Sequence, residues 1–404
     1  MLRSIIQKSR VIYPVCKALL DALKCLTYLV ISKTVKTEDN VILFESFQGR
    51  NISCSPKAIY HQALRNEDYK GFKFVWALRD QEKIDNLQNN ERTSAVKYGS
   101  LSYMKALARA KYWVTNSTMP VYAKPKKEQI FIQNWHGTPL KRLGCDIKTD
   151  EAKAQKLSSI HKQYISQGKL SDYFVSPSQF YSEKISTAFA QEQNRDKKFL
   201  QLGYPRNDIL FKFTKEDASE IKKTLGIPED KKVILYAPTF RDNSYERGRG
   251  FHYDCQIDFD LLYKALSGDY VVLFRAHYFV VDRYNLEKYK GFVYDVSRYE
   301  DINDLYVISD MLVTDYSSVF FDYANLNRPI IFYMYDYELY KNKMRDFYLD
   351  LSELPGEICY TNEELLSLIC KAEKMQCSHS EFNKRFNTYC DANSSQRVLK
   401  NCIK

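Results

Sequence analysis

The sequence predicts an α/β protein made of two doubly wound halves, each a parallel sheet with helices on both faces. Its 404 residues, 45% of them hydrophobic and 27% charged, suffice for two cores of ordinary domain size. Short apolar segments alternate with helical patterns along most of the chain, which is typical of parallel sheets. This alternation restarts after Pro205, so a domain boundary is predicted at about 206–214, with a cleft between the halves.

Local signals assign the individual elements. Short apolar runs are predicted strands, segments with helical spacing are predicted helices, and the chain beyond Asn362 is predicted to form two or three more helices. The predicted strands are Val41–Ser46, Phe72–Leu78, Tyr112–Asn116, Ile130–Asn134, Tyr173–Ser176, Val233–Ala237, Tyr270–Arg275, Phe292–Val296, Met311–Thr314 and Pro329–Tyr333. The predicted helices are Ser55–Arg65, Leu101–Ala110, Ser178–Ala188, Lys215–Leu225, Ile302–Ser309 and Val319–Leu326.

A histidine follows the predicted strand Ile130–Asn134, in the segment WHGTPLKR at residues 135–142. Ligands of doubly wound sheets bind outside the carboxyl ends of the strands. His136 therefore stands where it could accept a proton from an attacking hydroxyl, and Lys141 and Arg142 could hold an anionic substrate. A single exposed histidine is often inert, so this alternative stays open.

A second histidine has the same kind of position in the other half. The predicted strand Tyr270–Arg275 leads into Ala276 and His277, and Arg275 and His277 alternate, so that both point the same way. Together they could contact a phosphate. A local hydrogen bond at an edge strand is the alternative.

The segment TDYSSVFFDYA, residues 314–324, has the pattern of a strand end, a hydroxyl-rich turn and a helix. Ser317 is the predicted N-cap, and the backbone N–H groups at Ser317 and Ser318 would form an anion site that suits a pyrophosphate. Asp322, one helical turn further on, would contact a polar group of the ligand. Simple helix capping explains the same residues without a ligand.

Two further turns each carry an arginine. They are GYPRND at residues 203–208 and APTFRD at residues 237–242. Arg206 and Arg241 are predicted to lie at the cleft, where each could bind a ligand or act as a structural clamp between the domains.

The charge of the chain is concentrated at its N-terminus. The formal net charge is +10, but residues 1–36 hold seven Lys and Arg against Asp21 alone, so that only +4 remains for the other residues. This distribution does not favour nucleic-acid binding. Residues 1–36 have the pattern of an amphipathic helix that either packs on the protein core or lies in an anionic membrane interface. Its predicted apolar stripe is Ile12, Val15, Leu19, Leu23, Leu26 and Val30.

Several classes of protein are excluded by what the sequence lacks. The ten cysteines form no CxxC pair and no Cys/His cluster, which argues against a disulfide framework and a structural zinc. There is no stretch long and apolar enough to predict a membrane span or a cleavable signal peptide. P-loop, GxGxxG, HExxH and GxSxG motifs are absent, and Asp258-Phe259-Asp260 is weak evidence for a metal.

Five of these segments together carry a resemblance to a known family. HGTPLK (residues 136–141), GYPRND (203–208), APTFRD (237–242), RAH (275–277) and TDYSSVFFDYA (314–324) resemble the CDP-glycerol glycerophosphotransferases of bacterial teichoic acid and capsule synthesis, over roughly residues 40–385. The resemblance implies a GT-B fold. With the amphipathic helix predicted from spacing at residues 1–36, the resemblance implies an acceptor-side Rossmann-like domain at 37–210 and a CDP-donor-binding Rossmann-like domain with terminal helices at 211–404.

The resemblance implies the reaction as well. Glycerol phosphate would pass from CDP-glycerol to a hydroxyl of a polyprenyl-diphosphate-linked acceptor with release of CMP, and no metal or cofactor would be needed. His136 would be the general base, and His277 with Arg275 would stabilise the phosphate, or the two histidines would exchange these roles. The residues implied to line the donor site are His136, Gly137, Thr138, Pro139, Leu140, Arg206, Pro238, Thr239, Arg275, Ala276, His277, Ser317, Ser318 and Asp322.

An acceptor carried on a lipid cannot leave the bilayer, so the resemblance favours the membrane interpretation of residues 1–36. The protein is then expected at the cytoplasmic face of the membrane as a peripheral enzyme. The alternatives are a CDP-ribitol ribitolphosphotransferase and a GT-B glycosyltransferase that uses a nucleotide sugar. A non-catalytic protein that binds membranes or RNA would not need paired histidines at strand ends. Whether one unit or many are added stays open.

Overall fold

The computed structural model describes residues 12–87, 91–148, 156–239, 245–246, 250–251, 255–276, 286–337, 347–372 and 376–404. By their internal contacts the described residues divide into two compact units. Unit 1 comprises those within 1–136, 169–175 and 395–404, and unit 2 those within 137–168 and 176–394. The domain division at residue 210 stays a prediction.

Helices and strands alternate along the chain as predicted. The α-helices are α1 (Ile12–Thr34), α2 (Cys54–Arg65), α3 (Gln81–Leu87), α4 (Leu101–Arg109), α5 (Leu157–Leu170), α6 (Gln179–Ala188), α7 (Arg195–Lys198), α8 (Lys215–Leu225), α9 (Phe259–Leu266), α10 (Ile302–Ile308), α11 (Val319–Tyr323), α12 (Asn362–Ala372), α13 (Ser380–Phe386) and α14 (Ser394–Cys402). The strands are β1 (Glu38–Glu45), β2 (Lys73–Leu78), β3 (Thr93–Lys97), β4 (Ala110–Thr115), β5 (Ile130–Gln133), β6 (Tyr173–Ser176), β7 (Phe199–Gln201), β8 (Lys232–Ala237), β9 (Tyr245–Glu246), β10 (Gly250–Phe251), β11 (Tyr270–Phe274), β12 (Val293–Asp295), β13 (Met311–Thr314), β14 (Ile330–Tyr333) and β15 (Glu357–Cys359).

The first sheet has the order β3-β2-β1-β4-β5-β6-β7, and the pairs from β3 to β6 are parallel. Non-consecutive neighbours such as β1 and β4 require crossover helices, which parallel strands need in any case. Val41, Leu43 and Trp113 pack under α1 and α4 in one apolar cluster. The carboxyl ends of β1, β4 and β5 therefore lie side by side at one edge of the sheet.

The second sheet has the order β12-β11-β8-β13-β14-β15, with parallel pairs throughout. Successive residues of its strands enter different cores: Ile234 and Val272 belong to one apolar cluster, and Leu235 and Leu273 belong to the other. Because side chains alternate along a strand, both faces of this sheet are covered. The predicted doubly wound α/β class is confirmed.

Helix α8 shows how local sequence signals set the ends of an element. Thr214 and Asp217 form a capping box at its start, and Gly226 ends it with φ 68° in the left-handed region. No residue of α8 is fully buried, but Ala218, Ile221 and Leu225 are half-buried against the apolar core of unit 2. The end signals set the bounds of the helix, and this apolar side packs it on the core. The predicted bounds Lys215–Leu225 are those observed.

Helix α1 packs on unit 1 through a face that the sequence pattern did not indicate. Tyr28 is buried against Tyr122, with 5.9 Å between the ring centroids, and Cys25 and Ile31 pack beside it. No helix within the described residues is long and apolar enough to cross a membrane. Among the described side chains of α1, seven large apolar ones are 50–67% exposed: Val15, Leu19, Leu20, Leu23, Leu26, Leu29 and Val30. They include the predicted stripe from Val15 to Val30, to which Leu20 and Leu29 do not belong.

A buried carboxyl group ends β1. Burial raises the pKa of the Glu45 carboxyl to about 7, although the Tyr103 hydroxyl, which donates to it, and Arg79 both act to lower that pKa. Because this pKa is higher in the folded state than in the unfolded state, where it is about 4.3, the protonated carboxyl favours the folded state. This contribution to stability is fully present below about pH 4.3 and is lost as the pH rises through 7.

We therefore expect Glu45→Gln to flatten the fall in unfolding free energy between pH 5 and pH 8, by on the order of 3 kcal/mol. Chemical denaturation at several pH values measures this difference. Glu67→Gln, at an exposed position of the same unit, is the matched control and should leave the profile unchanged. Equal profiles for Glu45→Gln and the wild type would contradict the assignment.

Candidate active-site residues

His136 is exposed in the turn that follows β5 in unit 1. Its Nδ1 lies 2.8 Å from the main-chain oxygen of Asn116, the residue that follows β4. A carbonyl oxygen only accepts hydrogen bonds, so Nδ1 carries the proton and Nε2 carries the lone pair of the neutral ring. This arrangement suits a proton acceptor that acts through Nε2.

Two aromatic rings lie next to the imidazole. The Trp135 ring centroid is 4.4 Å from that of His136, and the Phe47 centroid is 5.9 Å away. Trp135 has φ 47°, a left-handed conformation that is uncommon for a bulky residue, and the Gln133 side chain accepts its N–H at 2.9 Å. Strained residues of this kind cluster at functional sites.

The turn after β1 belongs to the same edge of the sheet, and sequence reasoning missed it. Phe47, Gln48 and Gly49 are all left-handed, with φ 48°, 58° and 78°. The N–H of Phe47 donates to Asn116 Oδ1 at 2.8 Å, and the N–H of Gln48 donates to Ser117 Oγ at 3.1 Å. The signal in the sequence was weak, because only the glycine after a buried strand suggests such a turn.

Within unit 2, residues 137–141 of the HGTPLK segment meet the serine turn. A Cβ placed on Gly137 would lie only 2.8 Å from Ser318 Oγ, so the two predicted motifs are in contact. Pro139 is buried, Leu140 belongs to the apolar core, and the Thr138 hydroxyl lies 3.1 Å from the Tyr204 hydroxyl. Thr138, Pro139 and Leu140 therefore shape the turn from within.

The carboxyl ends of β8 and β13 are held together beside this turn. The Thr239 N–H donates to Asp315 Oδ1 at 2.8 Å, and the Thr314 hydroxyl donates to the main-chain oxygen of Ala237, also at 2.8 Å. Pro238 and Thr239 thus lie close to the residues that precede Ser317. Asp315 is a buried member of this group that the sequence analysis did not single out.

Arg275 follows β11, the neighbour of β8, and is anchored to the main chain. Its Nη1 donates to the oxygens of Val296 and Tyr299 at 3.0 and 2.9 Å. Burial lowers the pKa of this guanidinium, and arginine keeps its positive charge in proteins. The N–H of Ala276 donates to Ser297 Oγ at 2.9 Å. The predicted residues His277 and Arg241 lie outside the described residues.

The helix after β13 differs from the prediction. Its N-cap is Ser318 instead of Ser317, the Ser318 side chain makes no capping hydrogen bond, and α11 has only five residues. So short a helix has a small dipole. Any anion at this place therefore depends on the half-exposed hydroxyls of Ser317 and Ser318 and on nearby cations.

Arg206 and Asp322 form a bidentate ion pair inside unit 2. Arg206 Nε and Nη2 lie 2.8 and 3.0 Å from the two carboxylate oxygens, and Asn207 Nδ2 donates to the same carboxylate at 2.8 Å. The side chains are only 3% and 8% exposed, and the guanidinium carbon lies 3.7 Å from the Tyr204 ring centroid. Such a pair holds the turn at 203–208 against α11.

The two carboxylates of Asp258-Phe259-Asp260, the weak candidate for a metal site, make hydrogen bonds within the protein. Asp258 caps α9 by accepting the Leu261 N–H at 3.0 Å, and Asp260 accepts hydrogen bonds from Lys288 and Tyr289. Across the described part of the chain there is no group of three or more His, Cys, Asp or Glu side chains that could hold a metal ion.

Comparison with known proteins shows which family the chain is similar to. The family model for CDP-glycerol:poly(glycerophosphate) glycerophosphotransferase matches residues 27–404. A teichoic acid poly(glycerol phosphate) polymerase of Bacillus spizizenii is 35% identical over 391 residues, which cover 96% of this chain and 98% of the relative. A teichoic acid glycerol-phosphate transferase of Staphylococcus aureus is 36% identical over 385 residues, covering 94% and 96%. Two poly(glycerol phosphate) polymerases, of Bacillus subtilis and Staphylococcus epidermidis, are longer, and the chain spans 54% and 50% of them.

A solved structure of the wall teichoic acid polymerase TagF, in a histidine-to-asparagine variant soaked with CDPG, has a TM-score of 0.83 to this chain. Its sequence is 33% identical, and the match covers 96% of this chain and 97% of that one. A poly(ribitol-phosphate) polymerase of B. spizizenii is more distant, at 30% identity over 385 residues. The chain therefore belongs to the CDP-glycerol:poly(glycerophosphate) glycerophosphotransferase family and is a glycerophosphotransferase with a GT-B-like fold.

Proposed function

We propose that this protein transfers glycerol phosphate from CDP-glycerol to a hydroxyl of a polyprenyl-diphosphate-linked teichoic acid acceptor and releases CMP. The observation that carries the proposal is the His136 turn. There an exposed imidazole is held with its lone pair on Nε2, at the carboxyl edge of a parallel sheet. A general base that accepts the proton of an attacking hydroxyl needs such an accessible nitrogen lone pair.

The reaction balances without a further reactant. The acceptor oxygen attacks the phosphorus that bears glycerol, the bond from that phosphorus to the CMP oxygen breaks, and the hydroxyl proton passes to His136 Nε2. The products are the acceptor extended by one glycerol phosphate, and CMP. Phosphoryl transfer of this kind depends mainly on positioning and charge stabilisation.

The donor diphosphate is assigned to unit 2. Arg275 supplies a cation, Ser317 and Ser318 supply hydroxyls, and Pro238 and Thr239 form the adjoining turn. The contact of Gly137 with Ser318 supports a shared role for these segments. His277 is proposed to act with Arg275 on the phosphate, or to exchange roles with His136. The CDPG soak of TagF supports the choice of donor.

Arg206 and Asp322 keep a place in this proposal as residues of the donor-site wall. Their charges are directed at each other, so they are proposed to shape the site through the turn at 203–208 and through α11. In the same scheme, residues 37–210 serve the acceptor and residues 211–404 bind the CDP donor.

Helix α1 is proposed to hold the protein on an anionic membrane surface, at the cytoplasmic face, where a lipid-linked acceptor is found. Its exposed leucines form an apolar face that unit 1 does not bury, and Lys17, Lys24 and Lys33 are exposed on the same helix. An interfacial helix combines apolar burial with attraction between basic residues and anionic lipid.

The combined variant Leu19→Ser, Leu23→Ser and Leu26→Ser is expected to bind phosphatidylglycerol vesicles at least about tenfold more weakly than the wild type. Vesicle sedimentation measures this binding. The variant Tyr360→Ser with Tyr389→Ser, which removes exposed aromatic residues of unit 2, is the control and should bind as the wild type does. Undiminished binding of the triple variant would remove the membrane proposal.

A donor panel tests the proposed reaction. The full chain is incubated with a lipid-linked acceptor and, in turn, CDP-glycerol, CDP-ribitol and UDP-sugars, and the release of CMP or UDP is measured. We expect CMP release from CDP-glycerol only. Faster CMP release from CDP-ribitol would favour the ribitol alternative, which the similarity to a 30% identical ribitol-phosphate polymerase supports. UDP release would favour a glycosyltransferase. The length of the product distinguishes one unit from many.

A further inference from the structure

We propose that Asn116 is a positioning residue that fixes the tautomer of His136. It does so by joining the turn after β1 to the turn after β5. The inference rests on the proposed function, in which His136 accepts the acceptor proton through Nε2.

Asn116 contacts both turns. It follows β4, which pairs with β1 on one side and with β5 on the other. Its side-chain oxygen accepts the Phe47 N–H at 2.8 Å, and its main-chain oxygen accepts the His136 Nδ1–H, also at 2.8 Å. The residue is fully buried, so water does not compete for either bond.

The turn that Asn116 contacts is a strained one. Phe47 and Gln48 hold left-handed conformations that residues with a Cβ rarely adopt. Successive N–H groups of such residues converge on one concave side and require an acceptor there. Asn116 Oδ1 and Ser117 Oγ are those acceptors. The side chain of Asn116 thus stabilises the turn, and the turn in return fixes the position of Asn116.

The consequence for His136 is chemical. With its side chain fixed, Asn116 presents a main-chain oxygen to Nδ1, and an oxygen in that place is compatible only with a proton on Nδ1. The opposite tautomer would set two lone pairs against each other. Phe47, whose ring lies beside the imidazole, restricts the ring from the same turn. The lone pair is therefore kept on Nε2, where the proposed reaction needs it.

Nitrogen NMR of the full chain labelled with ¹⁵N-histidine tests the proposal first in the wild type. The His136 signals are assigned by their loss in His136→Gln. Above the pH at which the imidazole titrates, we expect a protonated Nδ1 and an unprotonated Nε2. A wild-type signal of the opposite tautomer overturns the proposal, whatever any variant does.

The variant Asn116→Ala gives the second measurement. We expect a mixture of the two tautomers and a kcat with CDP-glycerol reduced by about 10–100-fold, with the KM for CDP-glycerol within about twofold of the wild type. If that variant is unstable, Asn116→Ser serves instead, because the serine side chain is too short for its oxygen to reach the Phe47 N–H. Retention of both the tautomer and kcat overturns the proposal.

Gln129→Ala is the matched control. Gln129 is also a buried amide, but it precedes β5 at the opposite edge of the sheet, where it donates to the oxygens of Leu107 and Ala110. Its loss is expected to lower stability and leave both the tautomer and kcat unchanged. The activity of His136→Gln distinguishes a failure of the proposed function from a failure of the positioning role of Asn116. If that variant still releases CMP, the proposed base is wrong, while the NMR result on Asn116 stands by itself.

Discussion

Replacement of His136 by alanine is expected to lower kcat for CMP release from CDP-glycerol by about 10²–10⁴-fold. The alanine is expected to keep the fold, because the imidazole is exposed and its hydrogen bond to Asn116 is made with a main-chain oxygen. What is lost is the group that takes the proton as the acceptor oxygen attacks phosphorus. The KM for CDP-glycerol is expected to change by less than about threefold, since the proposed base acts on the acceptor.

The control for this variant is His161→Ala. His161 also directs a ring nitrogen at a main-chain oxygen, that of Ile147 at 3.2 Å, but it belongs to helix α5 and has no part in the proposed reaction. It should retain wild-type kcat. Near-normal turnover of His136→Ala, with an unchanged circular dichroism spectrum, would show that His136 is not the base and would direct attention to His277.

The second large effect is on stability. Arg206→Ala is expected to lower the free energy of unfolding by about 3–5 kcal/mol, because it leaves the Asp322 carboxylate buried without its counter-charge. Asp322→Ala should have a similar cost for the reverse reason. Urea denaturation of the full chain measures both, and activity is not needed for the comparison.

Two comparisons make this prediction specific to burial. The double variant Arg206→Ala with Asp322→Ala should be less destabilised than the sum of the single variants, since no unpaired charge remains. Lys384→Ala breaks an ion pair with Glu381 whose side chains are 71% and 84% exposed, and should cost less than about 1 kcal/mol. Equal costs for Arg206→Ala and Lys384→Ala would refute the assigned role.

The predictability of the strands followed their burial. Strands in the middle of each sheet, such as β4 and β8, are nearly continuous apolar runs and were predicted with bounds within two residues. Five strands were missed: β3, β7 and β15, which lie at sheet edges, and β9 and β10, which form a sheet of only two strands. An edge strand has one neighbour and more exposed side chains, so its sequence lacks the apolar run that marks a buried strand.

The site was predictable in its parts and not in its connections. The rule that ligands bind at the carboxyl ends of strands singled out His136, Arg275 and Ser317 from sequence. The pairing of Arg206 with Asp322 joins residues 116 positions apart, and nothing in either local sequence indicates the other. Asn116 was assigned only to the end of a strand, because its role depends on which two strands are its neighbours.

Helix α1 separates the two kinds of information most clearly. Its helical character and its excess of basic residues follow from composition and spacing, which act along the chain. Which face is buried was decided by tertiary packing. Tyr28 packs in unit 1 against Tyr122, and the described part of the apolar stripe, for which periodicity allowed either a core or a membrane interface, remains exposed.

Local patterns and motifs were thus enough to predict the α/β class, the order of the elements and the family. The tautomer of His136, the partner of Arg206 and the buried face of α1 were set only when distant segments met. The reason is physical: strand and helix patterns depend on spacing along the chain, whereas hydrogen bonds and burial depend on neighbours in space.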